Sequence, residues 1–135
     1  MTREQVEKGA SCKPSRWMML KAQLKNISPE VFKKKMDDND NYVLIDTRTA
    51  NEYNHLHLEN AINIDYLTPD MWERVEPLDR DATYLLYCRS GRRSIRLGTL
   101  MRNSGFDAKK IFNLEGGITA WQEAFGEEKL KKNAE

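Results

Sequence analysis

The side chains best suited to covalent chemistry lie together in Cys88-Arg89-Ser90-Gly91-Arg92-Arg93-Ser94. An ionised thiol is a strong nucleophile, and cationic neighbours favour the ionised form. Arg89, Arg92, Arg93 and Arg96 supply those neighbours. A ring of backbone N–H groups around one sulfur could also hold an anion bonded to it, such as a persulfide or a sulfur oxyanion. A lone cysteine more commonly ends as a small buried hydrophobe, which an apolar flank would support. Arginines, a serine and a glycine flank this one instead, so the reactive reading stands.

The elements on either side give the stretch its geometry. Tyr84 to Tyr87 is an apolar run that reads as a buried strand of the parallel kind. After a short Gly-containing loop, Ile95, Leu97, Leu100 and Met101 recur at helical spacing. Cys88 therefore falls at the carboxyl end of a strand and beside the amino end of a helix, where open α/β sheets place their crevice. Unpaired N–H groups and the helix dipole favour negative charge there.

Taken in order, residues 1–20 read as an extension, with Gly9, Ser11, Pro14 and Ser15 breaking any period and Trp17-Met18-Met19-Leu20 apolar enough to dock. Cys12 in that stretch reads as a free surface thiol; nothing in the sequence brings it near Cys88 to act as a resolving partner. Leu24 to Ile27 is a short strand, and Ser28-Pro29 opens a helix with a capping serine. Tyr42 to Ile45 is a second buried strand closed by Asp46-Thr47-Arg48. Thr49 and Glu52 have capping-box spacing. Ala61 to Ile64 is a third strand, and Thr68-Pro69-Asp70 caps a helix carrying Met71, Trp72 and Val75. Ser104-Gly105 stops the central helix, Ile111 to Leu114 forms a further strand, and Gly116-Gly117 leads into a last helix. Residues 127–135 read as a charged tail. Alternating strands and helices predict an α/β fold with a mostly parallel sheet of about five strands between helices.

A chain of 135 residues makes one domain with a short extension. With 22 basic and 21 acidic residues, it has no strong pull on nucleic acid or membrane. No apolar run reaches membrane-spanning length, and the charged amino terminus lacks the core of a signal peptide. A cytoplasmic protein is expected, or a periplasmic one had a leader been removed. Two cysteines make no disulfide framework, and no Cys/His spacing suits zinc, so no metal is expected.

Separated motifs resemble the rhodanese (sulfurtransferase) family. Asp46-Thr47-Arg48 with Glu52-Tyr53 resembles its Asp-x-Arg…Glu-Tyr/Phe element, and His57 to Asn63 its Gly-His-Ile-Pro-Gly-Ala-x-Asn stretch. Leu114-Glu115-Gly116-Gly117-Ile118-x-x-Trp121 is similar to its Gly-Gly…Trp close, and Cys88 to Ser94 to its active-site loop. The resemblance covers residues 21–126 and implies a rhodanese-like three-layer fold. Leu56, Glu59 and Asn60 depart from the family's glycine and proline positions, in a loop away from the cysteine. Related phosphatases carry an arginine at the sixth position after the cysteine; here Ser94 stands there, and the loop from Cys88 to Arg93 resembles the sulfurtransferase form.

The resemblance implies a two-step sulfur transfer in which Cys88 takes a sulfane sulfur from a donor such as thiosulfate and passes it to a thiol or protein acceptor. The loop, Arg89, Ser90, Gly91, Arg92, Arg93 and Ser94, would bind the anionic donor and persulfide. Asp46, Arg48, Glu52 and His57 read as structural support: a buried ionic cluster at the crevice edge and a hydrogen-bonded loop histidine. No cofactor, nucleic acid or membrane partner is implied, and a monomer is expected. A rhodanese-like interaction or sulfur-carrier module is the alternative.

Overall fold

The computed structural model describes residues 15–22 and 24–132. Cys12 lies outside them. Five parallel strands form the central sheet: β1 (Lys25–Ile27), β2 (Val43–Asp46), β4 (Ile62–Asn63), β5 (Tyr84–Tyr87) and β6 (Ile111–Leu114), in the spatial order β1-β6-β5-β2-β4. β3 (His57–Leu58) and β7 (Leu130–Lys131) make a separate antiparallel pair. The helices are α1 (Arg16–Ala22), α2 (Pro29–Asp38), α3 (Ala50–His55), α4 (Met71–Val75), α5 (Arg92–Asn103) and α6 (Gly117–Phe125).

β5 lies at the centre of the sheet, hydrogen-bonded to β2 and β6, and is buried on both faces. Its alternation divides the core: Tyr84 and Leu86 join Ile95, Leu97 and Met101 of α5, while Leu85 and Tyr87 join Phe32 of α2 and Ile118 and Trp121 of α6. That arrangement is three layers, helices on either side of one sheet. Burying Trp121 completely makes the second layer sensitive, since truncating such a ring to alanine costs about 3–5 kcal/mol.

Local sequence explains most element ends. Ser28 accepts a hydrogen bond from the Val31 N–H at 3.2 Å, and Pro29 fills the first helical position. Thr49 and Glu52 complete a capping box, with Thr49 N–H to Glu52 Oε1 at 3.0 Å and Glu52 N–H to Thr49 Oγ1 at 3.2 Å. The cap expected of Thr68-Pro69-Asp70 differs: Asp70 is the residue before α4 but makes no side-chain capping bond.

The charged stretch after residue 126 is partly folded back onto the domain. Leu130 and Lys131 pair with Leu58 and His57. The Glu128 carbonyl accepts from Trp121 Nε1 at 2.9 Å, and Lys129 forms an ion pair with Asp37 at 3.0 Å. A charged sequence gave no periodicity from which to read that strand, because its pairing partner is more than seventy residues away. At the other end, α1 docks Trp17 against the core and under the Arg92 guanidinium, which lies 4.4 Å from the ring centroid. Among the described residues no helix is long and apolar enough to cross a membrane.

Candidate functional site

β5 delivers Cys88 to the carboxyl edge of the sheet, and α5 begins at Arg92. Between them, Gly91 adopts φ +109°, a left-handed conformation that glycine takes without strain. The turn aims the Gly91 N–H at Cys88 Sγ, 2.9 Å away. The sulfur is thus enclosed by its own loop at the amino end of a 12-residue helix, and the residue is only 1% exposed. Ser94, buried on the first turn of α5, places its hydroxyl 3.6 Å from Sγ. The backbone donor and the helix dipole favour negative charge on sulfur, while the Ser94 hydroxyl has a nearer acceptor in Asn113 Oδ1, at 2.5 Å.

The loop is held from outside by α6. Ile118 N–H donates to the Cys88 carbonyl at 2.9 Å, and Thr119 N–H to the Arg89 carbonyl at 3.3 Å. Those bonds turn both carbonyls toward α6 and away from the loop's interior. The approach demands glycine: a Cβ on Gly117 would lie 2.3 Å from the Arg89 carbonyl oxygen and 2.5 Å from that of Cys88. Gly117 also has φ +66°.

The arginines of the loop differ in their surroundings. Arg93 forms a two-pronged pair with Glu52, at 2.9 and 3.4 Å. This pair raises the Arg93 pKa, and it holds the Glu52 carboxyl at about 2, below the usual 4.5, against the opposing effect of burial. Arg92 stacks on Trp17. Arg89 lines an open cleft of about 300 Å³ beside the loop, together with His55, Thr119 and Gln122. A larger cleft, about 460 Å³, lies against the amino ends of β2 and β5 with Asp40, Asp79 and Asp81 on its wall. It contains none of the loop's residues, whereas the smaller one is lined by Arg89 of the loop and by Ile118 and Thr119 of the helix that holds it.

Asp46 and Arg48 do form a buried ion pair, with Arg48 Nη2 2.7 Å from Asp46 Oδ2 and the Arg48 N–H 2.9 Å from Oδ1. Glu52 does not join it; its partners are Arg93 and Thr49. The expected three-member cluster is therefore two separate pairs, because the capping box turns Glu52 toward the loop. Arg48 also donates to the Leu56 carbonyl. Burial, and then the nearby Asp46 charge, push the Tyr87 phenol far up, so it stays protonated; its oxygen accepts from the Leu58 N–H at 2.9 Å. His57 belongs to β3 rather than to a loop, stacks on Tyr53 at 3.9 Å, and sets Nδ1 2.9 Å from the Tyr53 carbonyl. That carbonyl can only accept, so Nδ1 carries the proton.

Two residues at the site escaped the sequence reading. Asn113 on β6 lies 2.5 Å from the Ser94 hydroxyl, and its amide nitrogen donates to Asn26 Oδ1 on β1 at 2.9 Å. The available signal was a polar side chain inside the apolar run Ile111 to Leu114, which period alone cannot distinguish from an outward-facing position.

A five-stranded parallel sheet with a cysteine loop between its central strand and the following helix defines a rhodanese-like α/β domain. The family model of the rhodanese-like domain matches residues 28–124, and the chain belongs to that family. Among relatives, a Bacillus subtilis (strain 168) protein named as a candidate sulfurtransferase, YtwF, is 35% identical over 109 residues, covering 81% of this chain and 98% of the relative. A second protein of that organism, named as a candidate sulfur carrier protein, YrkF, is 30% identical over 95 residues, covering 70% of this chain and 49% of the relative. Among solved structures, a rhodanese-like domain protein from Staphylococcus aureus superposes with a TM-score of 0.69 at 24% identity, covering 82% of this chain and 100% of that one.

Proposed function

We propose that the protein is a sulfurtransferase working through a persulfide on Cys88. The Cys88 thiolate attacks the outer sulfur of an anionic donor such as thiosulfate. A Cys88–S bond forms, the sulfur–sulfur bond of the donor breaks, and sulfite leaves with the bonding pair. A thiolate acceptor, small molecule or protein, then attacks the outer sulfur of the persulfide and returns Cys88 as thiolate. Charge is conserved in each step, and neither needs a metal or organic cofactor. The Gly91 N–H and the first turn of α5 stabilise the anion as an oxyanion hole would. Arg89, beside the open cleft, attracts the donor. The protein acts as a monomer in a reducing cytoplasm, where thiol acceptors persist.

The 2.9 Å contact between Gly91 N–H and Cys88 Sγ carries this reading. Intact mass after incubation of the reduced protein with thiosulfate tests it. We expect a gain of one sulfur atom, reversed by a reductant, in wild type and in Cys12→Ser but absent in Cys88→Ser. Similarity to a protein named as a candidate sulfur carrier favours a second reading, a carrier that is loaded by another protein. A chain that stays unloaded with thiosulfate and mercaptopyruvate, but gains sulfur from a protein persulfide, would establish that one instead.

A further inference from the structure

Ser94 carries one hydroxyl proton and has three acceptors within reach: Asn113 Oδ1 at 2.5 Å, the Gly91 carbonyl at 3.1 Å and Cys88 Sγ at 3.6 Å. Ser94 and Asn113 are both buried, so these three protein atoms compete for the one proton. The orientation of the Asn113 amide decides what Ser94 meets, and that orientation is relayed from the edge of the sheet. The Leu24 carbonyl can only accept, so Asn26 turns Nδ2 toward it, at 3.3 Å. Asn26 then presents Oδ1 to Asn113, whose Nδ2 donates to it at 2.9 Å. Asn113 is left with Oδ1 facing Ser94. The chain of donors thus runs one way, from Ser94 through Asn113 and Asn26 to a backbone carbonyl.

We propose that Asn113, held by Asn26, is a positioning residue that competes with Cys88 for the Ser94 proton and thereby sets how readily the sulfur becomes anionic. With the proton on Asn113, Ser94 turns a lone pair toward Sγ, a position that suits a neutral S–H. When Sγ is a thiolate, the Ser94 proton swings to sulfur and the short bond to Asn113 is broken, so ionisation carries the cost of that bond. No covalent bond changes; a single hydroxyl rotates. The inference extends the persulfide reading, because the same hydroxyl is placed to serve the sulfur of the loaded state.

The charged groups around the sulfur stay as they are in the variants that test this. They are Arg93 on α5, whose charge acts on Cys88, with Glu52 of α3 and Asp65 acting in turn on Arg93, and Arg89 and Arg92 beside it in the loop. Replacing Asn113 by valine, a strand-favouring side chain without an acceptor, removes the competitor. Asn26→Ala acts at one remove, freeing the Asn113 amide to turn over and donate to Ser94. Ser94→Ala removes the donor itself.

The experiment is the pH profile of Cys88 alkylation by iodoacetamide on the purified full chain carrying Cys12→Ser, with a thermal melt of each variant. In Asn113→Val the profile moves to lower pH, and alkylation below the midpoint speeds up about threefold to tenfold, the worth of one hydrogen bond. Asn26→Ala moves it the same way by less, and Ser94→Ala moves it to higher pH. Loosened packing would shift all three variants in one direction, so opposite signs identify the switch. An unmoved profile, or one moved to higher pH, in Asn113→Val overturns the proposal; if that variant fails to fold, Asn26→Ala decides in the same terms. Thiosulfate loading, read by mass on the same samples, reports on sulfur transfer separately. A moved profile without loading keeps the switch and sinks the transfer reading, and loading with an unmoved profile does the reverse.

Discussion

Arg93 of the cysteine loop is paired with Glu52 of α3, guanidinium to carboxylate, at 2.9 and 3.4 Å. Neighbouring arginines in one loop therefore do different work: Arg93 ties the loop to the capping box, Arg92 rests on Trp17, and Arg89 faces the cleft. Arg89→Ala is expected to raise the thiosulfate KM about threefold to tenfold, an effect that shrinks with added salt. Arg93→Ala is expected to lower Tm as well. Steady-state kinetics at two ionic strengths beside thermal melts separates them; equal KM effects with equal melts would contradict the division.

The same pair predicts a pH dependence of stability. Glu52 is held at about 2 by the Arg93 hydrogen bond, with burial opposing and Thr49 adding to it. A folded-state value below the ordinary 4.5 means the stabilisation is complete above that pH and is lost as pH falls toward 2. Glu52→Gln keeps an N3 acceptor for the capping box but removes the charge. The difference in urea midpoint between wild type and Glu52→Gln is expected to be constant near neutrality and to close progressively below about 4.5. A difference that stays constant down to strong acid would show that the charge contributes nothing.

Gly117→Ala forces a methyl group against the carbonyls of Arg89 and Cys88 and strains a left-handed backbone. The cost is on the order of 1–3 kcal/mol. Because α6 holds the loop through the Ile118 and Thr119 N–H groups, loading of Cys88 should fall as well. Chemical denaturation and mass after thiosulfate treatment check both; normal loading in a destabilised variant would uncouple α6 from the site.

Asp46→Asn leaves the buried Arg48 guanidinium without its counter-charge. Breaking such a pair costs about 3–5 kcal/mol, far more than an exposed pair is worth. Urea denaturation of the variant reads this directly, and a loss below about 1 kcal/mol would place Arg48 in contact with water.

Truncation after Gly126 removes β7, the Trp121-to-Glu128 bond and the Leu130 side chain from the second core cluster. A loss of about 2 kcal/mol or more follows from the apolar area and bonds given up. An unchanged Tm would mean that the tail adds nothing to stability.

Sequence alone carried the parts of this protein that depend on near neighbours. Tyr84 to Tyr87 is a buried strand because four consecutive large side chains have no polar face to turn outward. Ser28-Pro29 and Thr49-x-x-Glu52 start helices because their capping atoms lie three residues from the N–H groups they serve. The cysteine loop was legible for the same reason: strand, cysteine, glycine and helix are contiguous.

Tertiary structure decided what lies across the sheet. Glu52 faces Arg93 rather than Arg48, which depends on where α3 sits relative to α5. The tail becomes a strand only because β3 offers an edge to it. Asn26, Asn113 and Ser94 come from β1, β6 and α5; the parallel register sets Asn26 opposite Asn113, and the packing of α5 on β6 brings Ser94 to them beside Cys88. Spacing along a chain encodes contacts a turn or two away; which atom receives a hydroxyl proton is settled by side chains that folding brings together from far apart.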